Sequence, residues 1–254
     1  MRGAINLKSR HGLMLALTAA AFLALLVLLP SILEVFPYPI GQAAGLFATG
    51  AQYTVYLTVI SGVAGILLGL MAGLGKLSHN PIVRGVCEFY VWIFRGTPLL
   101  TQLLFFYLAL PTLFPGLGIT EFWTAVLALS LNVGAYNTEA FRAAVQAIPT
   151  AQTRAGLALG MKPGQVFFSV VFPQAFKIAL PTLANNKVAL LKDSSLAYAI
   201  GVVELNMIAQ RVQAETFQPV PVFITVAAIY LSLTTIFSQF ANVLERKYTP
   251  SVRH

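Results

Sequence analysis

The chain has 254 residues, of which 57% are hydrophobic and only 9% are charged, whereas ordinary soluble domains carry about 25% charged residues. A soluble fold of this length cannot bury so much apolar surface, so the composition predicts an all-α integral membrane protein. The net charge of +8 arises from short Lys and Arg clusters between apolar blocks, and the chain has one cysteine and three histidines, which disfavours nucleic-acid binding, disulfide scaffolds and metal sites.

The N-terminal segment has a basic beginning followed by an uncharged run from Leu13 to Leu33. This run is long enough to cross about 30 Å of hydrocarbon, and further apolar runs follow it. We therefore predict a retained first membrane helix rather than a cleaved signal peptide.

Further windows of about 20 mostly uncharged residues predict additional spans along the chain. They lie near 51–75, 97–112, 122–141 and 219–244. An amphipathic interfacial helix is predicted at about 82–95, with a turn before the third span and Pro98 in the first turn of that span. A sixth span near 180–203 is needed if both basic termini lie on the same side. The apolar run 164–176 is too short to cross and is predicted to be interfacial or buried against protein.

The distribution of Lys and Arg orients these spans. With both termini inside, the predicted cytoplasmic segments contain thirteen Lys and Arg residues, whereas the external segments contain only Arg211. The cytoplasmic segments in that count are 1–12, 76–95, 142–177 and 245–254. Such a bias predicts that both termini are cytoplasmic.

The longest predicted cytoplasmic loop, about 146–177, is rich in turn signals. Pro149 suits the start of a short helix, and Gly160 followed by Pro163 suits its end. We predict a short cytoplasmic helix that can transmit motion from a soluble partner. A plain connection between two spans is the alternative.

Polar residues inside predicted spans are functional candidates, because they are costly in a membrane. A Lys and an Asp beside two hydroxyls could bind the carboxylate and ammonium of an amino acid, and Asn186 and Asp193 share a helix face. Alternatively, Lys192 and Asp193 neutralise each other. Glu139 with Arg142 could form a gate, or Arg142 could extend to the lipid headgroups. The predicted pathway residues are Asn132, Glu139, Asn185, Asn186, Lys192, Asp193, Ser194 and Ser195.

Five separated motifs carry a resemblance to a known family. The loop resembles the coupling loop of ABC importer permeases, whose pattern is Glu-Ala-Ala, three residues, Gly, nine residues and Ile-x-Leu-Pro. This register is kept by Arg154, Ala155, Gly156, Gly160, Val170, Phe172 and Pro173. The other motifs are FRGTPLL (94–100), EAFRAAVQAIP (139–149), LLKDSSLAYAIGVVEL (190–205) and LERKY (244–248), which are similar to those of importers of polar amino acids.

The resemblance covers about 53–248 and implies a permease subunit that moves amino acids from a periplasmic receptor into the cytoplasm by alternating access. It implies a type I permease core of five helices at 51–248, with a cytoplasmic tail at 249–254. Residues 1–50 would add a tail, an extra helix and an external loop, as in glutamate/aspartate-type members, so acidic amino acids are the preferred substrate. The implied setting is a bacterial inner membrane, with ATP and Mg bound by a separate ATPase dimer and no cofactor in this chain.

Within the resemblance, the coupling residues would be Pro149, Arg154, Ala155, Gly156, Gly160 and Pro173. The family's Glu is replaced here by Arg154, which reverses the charge at the ATPase contact. Either the contact is made differently, or this chain works beside a second, non-identical permease that keeps the Glu. We favour the heterodimer over a homodimer.

The chain contains no Gly-rich loop ending in Gly-Lys-Ser/Thr, so it is not expected to hydrolyse ATP itself or to be an enzyme. Two alternatives come from other classes. One is an ion-coupled secondary transporter that uses Lys192 and Asp193 as its coupling pair. The other is a scaffold that transports nothing. Neither the ion-coupled transporter nor the scaffold would need a cytoplasmic docking helix.

Overall fold

The computed structural model describes the backbone of residues 2–116 and 118–248 and the side chains of 12–116 and 118–243. Every regular element among these residues is helical. The α-helices are α1 (Arg2–Glu34), α2 (Ala44–Lys76), α3 (Pro81–Gly96), α4 (Leu99–Leu104), α5 (Leu110–Leu113), α6 (Glu121–Gln146), α7 (Thr150–Ala158), α8 (Pro163–Val166), α9 (Phe172–Asp193), α10 (Leu205–Thr216) and α11 (Pro219–Tyr248). Two π-helical turns, Phe105–Ala109 and Phe167–Val171, and a 3₁₀ helix, Ser194–Ile200, complete them.

Four continuous helical runs in the described chain are long and apolar enough to cross a membrane. They are Gly12–Glu34, Ala44–Lys76, Pro163–Ile200 and Pro219–Val243. A fifth crossing is formed if α3 and the segment Leu99–Leu113 count as one broken span, because the two are bent by 109° at the Thr97–Pro98 junction. The predicted third span is therefore the second segment of a bent pair, and Pro98 lies just before its first helical residue.

Helix α6 occupies the centre of the bundle and packs most extensively against α2. Its 26 residues extend about 39 Å, which is enough to cross the hydrocarbon. Glycines of α2 permit this close approach: a Cβ at Gly69 would overlap Asn137, and one at Gly73 would lie 3.2 Å from the Cβ of Phe141. Helix α6 is long enough for a sixth crossing, but it is not among the four helices of the described chain, or five with the bent pair, that are also apolar enough.

The run 164–176 was predicted to be interfacial or buried against protein. It is not a separate segment but continues directly into the span that ends at Ile200, and Val166, Val171 and Ala175 within it are buried. The reason lies in the π-helical turn Phe167–Val171, which ends two residues before Pro173. A proline lacks the amide hydrogen and clashes with the preceding turn, and a π turn widens the helix and lets it continue. The same arrangement precedes Pro111, where the π turn Phe105–Ala109 ends.

The first helix lies outside this centre. Helix α1 packs on α2 and α11, where the ring centroids of Phe22 and Phe237 are 6.3 Å apart. Much of its other surface is exposed, including Leu17, Leu23 and Val27, as expected of a helix that faces lipid. The prediction of an all-α fold in which the first helix lies outside the central helices is confirmed for the described residues.

Candidate functional site

A polar cavity of about 410 Å³ opens between the α3–α4 bend, α6 and α9. It lies beside the point where α9 ends at Asp193 and the chain continues as the 3₁₀ helix Ser194–Ile200. The described residues that line it are Thr97, Pro98, Leu99, Asn132, Val133, Tyr136, Asn186, Ala189 and Asp193. Three of the predicted pathway residues, Asn132, Asn186 and Asp193, are thus brought together, and the predicted common face of Asn186 and Asp193 is confirmed.

Asn132 fixes one wall of the cavity. Its Nδ2 donates to the carbonyl oxygen of Phe94 at 3.1 Å and to Oε1 of Gln102 at 3.0 Å. The Nε2 of Gln102 in turn donates to the carbonyl and hydroxyl oxygens of Thr97 at 3.1 and 2.9 Å. These bonds satisfy carbonyl groups that the bend at Pro98 leaves without helical partners, so the bend and the cavity wall form one bonded unit.

A second amide pair fixes the opposite wall. Asn186 Nδ2 donates to Asn137 Oδ1 at 2.9 Å, and Asn137 Nδ2 donates to the carbonyl oxygen of Gly65 at 3.1 Å. Asn137 is 1% exposed, so the chain of amides ties α9 to α6 and α6 to α2. The side-chain amide of Asn186 is thus held by this bond, and Asn186 also lines the cavity.

Asp193 is the only carboxylate among the described residues that line the cavity. At the cavity edge, the Arg95 guanidinium carbon lies 5.3 Å from the ring centroid of Tyr136, which is a cation–π contact. Arg95 and Tyr136 are both exposed. A carboxylate and a guanidinium therefore lie near one polar cavity.

Four other predicted pathway residues are placed differently. Lys192 and Asn185 are exposed and, like half-buried Ser195, are not among the lining residues. Ser194 is buried, and its hydroxyl donates to the carbonyl oxygen of Leu191 at 2.8 Å. The structure thus separates the side chain of Lys192 from the cavity that Asp193 lines.

Glu139 also lies away from the cavity lining. Its carboxylate pairs with Lys76 at 2.5 Å and with Arg142 at 2.7 Å. This cluster joins the end of α2 to the end of α6 on the side where α7 begins. The local arrangement is a neutralising ion cluster between two helix ends, and Arg142 is held by it.

The predicted short helix of the loop is α7, and its predicted end is confirmed. Pro149 precedes the first helical residue, and Gly160 adopts a left-handed backbone (φ 82°) just past the helix. Gly156 is buried against Val166: a Cβ at Gly156 would lie 2.8 Å from Val166 Cγ2. Gln174 Nε2 also donates to Gln152 Oε1 at 2.6 Å. These two contacts seat one face of α7 on the long span.

The other face of α7 is open. Arg154 and Ala155 are exposed, and Leu159 is 83% exposed. A groove of about 440 Å³ runs beside the helix. Its described lining is Val145, Gln146, Ile148, Thr150, Thr153, Leu157, Pro163, Val166, Phe167 and Val171. Pro173 lies in α9 beyond the π turn rather than in α7.

At the opposite end of the bundle, Glu204 begins α10. It is 0% exposed, and its carboxylate accepts hydrogen bonds from the backbone amides of Asn206 and Met207 and from the Tyr230 hydroxyl, at 2.8, 2.7 and 2.9 Å. Burial raises the pKa of Glu204 to about 7, although these donors favour the ionised form. Glu204 is therefore an internal helix cap rather than an exposed loop charge.

A family model described as the inner membrane component of binding-protein-dependent transport systems matches residues 65–250. This match spans most of the chain, and it includes the cavity, α7 and the long span. The chain belongs to this family. It is therefore the membrane-embedded translocation subunit of an ABC importer, and ATP hydrolysis resides in a separate subunit. Family membership disfavours the ion-coupled secondary transporter.

Among the described residues no group of His, Cys, Asp and Glu is arranged to hold a metal ion.

Known relatives cover nearly the whole core. The chain is 40% identical to the L-cystine transport system permease protein TcyB of Bacillus subtilis, over 78% of this chain and 84% of that protein. It is 35% identical to the glutamine transport system permease protein GlnP of Escherichia coli K12, over 82% and 95%. The chain also matches a solved structure of an amino acid ABC transporter with histidines. The TM-score is 0.75 and the identity is 36%, over 81% of this chain and 95% of that chain.

A more distant structure supports the fold alone. The inward-facing MetNI methionine ABC transporter matches with a TM-score of 0.69 at 21% identity, over 84% of this chain and all of that chain.

Several residues of the cavity were missed by sequence reasoning. Gln102 and Thr97 are uncharged, so the average hydropathy of their segment still predicts a membrane span. It gives no sign that the two side chains are bonded to each other and hold the bend. Arg95 stands in the FRGTPLL motif, which predicted a turn and a family resemblance but not a residue beside the cavity. A polar side chain next to a Pro inside a span was the available signal, because the freed carbonyl groups need donors.

Proposed function

We propose that this subunit imports polar amino acids and that the cavity on α6 and α9 is the place where they pass. The observation that carries the proposal is the meeting of Asn132, Asn186 and Asp193 in one cavity at the point where the α-helix gives way to a 3₁₀ helix. Discontinuous helices with free polar groups are the usual binding elements of membrane transporters. The relatives named above, permeases for cystine and glutamine, support the same class of substrate.

The lining suggests how an amino acid would be oriented. Asp193 is placed to accept the α-ammonium group, and the amides of Asn132 and Asn186 are placed beside it. Arg95 stands at the edge, where it would attract the α-carboxylate. Because the described lining contains a carboxylate and no Lys or Arg, it offers an acidic side chain no second cation. We therefore favour neutral or cationic side chains over the acidic amino acids that the extra N-terminal helix suggested.

We propose that α7 docks on the ATPase dimer and that Pro149, Arg154, Ala155, Gly156, Gly160 and Pro173 position or form this coupling segment. The chain would pair with a second, non-identical permease, and a periplasmic binding protein would deliver the substrate. The distribution of Lys and Arg supports a bacterial inner membrane orientation with both termini in the cytoplasm. In this arrangement Glu139, Lys76 and Arg142 would lie at the inner membrane surface. Lys192, Ser194, Ser195 and Asn185 would line the pathway only after a conformational change.

The test is uptake by liposomes that contain the purified complex with ATP inside, with or without the binding protein. Radiolabelled arginine, histidine, glutamine, cystine, glutamate and aspartate would be compared. Uptake that requires both ATP and the binding protein, and that is strongest for neutral or cationic amino acids, is the expected result. Uptake restricted to glutamate and aspartate would refute the proposed orientation, and gradient-driven uptake without ATP would refute the importer.

A further inference from the structure

The open face of α7 presents a cation that has no partner among the described residues. Arg154 is exposed and takes part in none of the ion pairs of the described chain. It lies two residues before Gly156, and two residues are about 200° apart around an α-helix. Because Gly156 packs on Val166, Arg154 projects away from the long span that begins at Pro163 and toward the soluble side.

No acidic side chain among the described residues compensates Arg154. The predicted cytoplasmic segments 76–95 and 142–177 contain one acid, Glu88, which pairs with Arg84. Glu139, at the nearby end of α6, is already bound to Lys76 and Arg142. Lys162, just past α7, adds another exposed positive charge. The surface around the helix is therefore cationic, and a partner that buries it has to supply negative charge.

We propose that the ATPase surface that receives α7 carries a carboxylate opposite Arg154. This inference rests on the proposed docking of α7. A guanidinium matches a carboxylate with two parallel hydrogen bonds, whereas a neutral or basic cleft would leave a desolvated, unpaired cation. That cleft would repel a coupling helix that has Glu at this position, because two carboxylates would face each other, so a second permease that keeps the Glu would dock on a different ATPase cleft. The charge reversal thus selects which ATPase surface this permease accepts.

The test uses a zero-length cross-linker on the complete transporter, purified through a tag on this chain. In the variant Arg154→Lys, a carbodiimide activates a neighbouring carboxylate, and the lysine amine displaces the resulting urea to form an amide. Arginine does not undergo this reaction, so the native protein reports the background from Lys162 and other amines. Arg154→Gln is the matched control without an amine.

The expected result is a cross-link specific to Arg154→Lys, which mass spectrometry locates on an Asp or Glu of the ATPase. If the variant retains the ATPase and transports but forms no such cross-link, the inference is overturned. A cross-link to phosphatidylserine or to the second permease would also overturn it. If the native chain does not hold an ATPase at all, the docking proposal fails together with the inference.

A binding measurement tests the inference independently of the cross-linker. ATPase subunits are titrated onto the permease in nanodiscs at increasing NaCl concentration. Arg154→Gln should weaken docking about fivefold and Arg154→Glu more strongly, and the native complex should lose affinity with salt more steeply than Arg154→Gln. Equal affinities and equal salt dependence for the three proteins would overturn the inference.

Discussion

The cavity and α7 represent opposite ways of holding polar residues. Around the cavity, the amides of Asn132, which lines it, and of Asn137 behind it are buried, and each is bonded to groups on two other segments. On α7, the polar residue Arg154 is exposed, and the helix is seated by one close glycine contact and one glutamine pair. The first arrangement fixes side chains in the bundle, whereas the second leaves a small rigid element with an open face.

This difference suits two tasks in one subunit. A substrate is discriminated by groups held in place before it arrives, because their ordering cost is already met. A helix that receives motion from a soluble motor needs rigid seating on the transmembrane span and freedom on its other side. Changes in the cavity should therefore alter which substrates move and how tightly they bind, whereas changes under α7 should alter the coupling of ATP hydrolysis to transport.

The largest effect is expected at Asp193. Asp193→Asn keeps the shape but removes the negative charge, and loss of one partner of a buried charge pair typically weakens binding by about 100-fold or more. Uptake of the preferred amino acid in liposomes should fall by that factor, while ATPase co-purification remains. Glu88→Gln is the matched control, since Glu88 is an exposed carboxylate paired with Arg84 and is not among the cavity-lining residues, and its uptake should change little. Near-native uptake by Asp193→Asn would remove this carboxylate from the substrate site.

A smaller effect is expected under α7. Gly156→Ala places a Cβ 2.8 Å from Val166 Cγ2, and overpacking of this kind costs about 2 kcal/mol, or roughly thirtyfold in a coupled equilibrium. Binding-protein-stimulated ATP hydrolysis should fall accordingly, whereas substrate affinity should not. Gly164→Ala is the control, because nothing lies within 4 Å of a Cβ at Gly164. If both variants behave alike, α7 is not seated by this contact.

At the end of the bundle opposite α7, Glu204 is a titratable group that is held in the same way as the amides around the cavity. Glu204 is buried and fully bonded like the cavity amides, and burial raises its pKa to about 7, against 4.5 for an unperturbed Glu. Between these values the folded protein binds more protons than the unfolded chain, so stability is greatest at low pH and is lost as the pH rises through about 7. We expect a loss of about 1.5 kcal/mol between roughly pH 5.5 and 7.5.

Thermal unfolding of the purified complex at a series of pH values measures this loss. Glu204→Gln should flatten the dependence, while Glu215→Gln should leave it as in the native protein, because Glu215 is exposed and paired with Arg211. If Glu204→Gln keeps the native pH dependence of unfolding, a group other than Glu204 causes that dependence.

Local sequence signals predicted some of these features and not others. The limits of α7 follow from Pro149 and Gly160, and the common face of Asn186 and Asp193 follows from helical spacing. The turn before the third span was predicted, but the hydrogen bonds of Gln102 that hold it and the burial of Glu204 were not. Asn132 meets Gln102 across 30 residues and Asn137 meets Gly65 across 72, and no local pattern specifies such pairs. The two π turns were not predicted, because a proline within a helical sequence usually indicates that the helix ends there.

The smallest effect is expected at Asn137. Asn137→Ala removes the link between Asn186 and the Gly65 carbonyl oxygen, but Asn186 can turn its amide to water in the cavity, so the cost is about 1 kcal/mol. The unfolding midpoint should fall by about 2 to 4 °C. The neighbour of Asn186 provides the control: Asn185 is exposed, and Asn185→Ala should have no measurable effect. An equal fall in both variants would mean that the amide chain contributes no more than a solvated side chain, and the cavity would then lack the bonded wall that distinguishes it from α7.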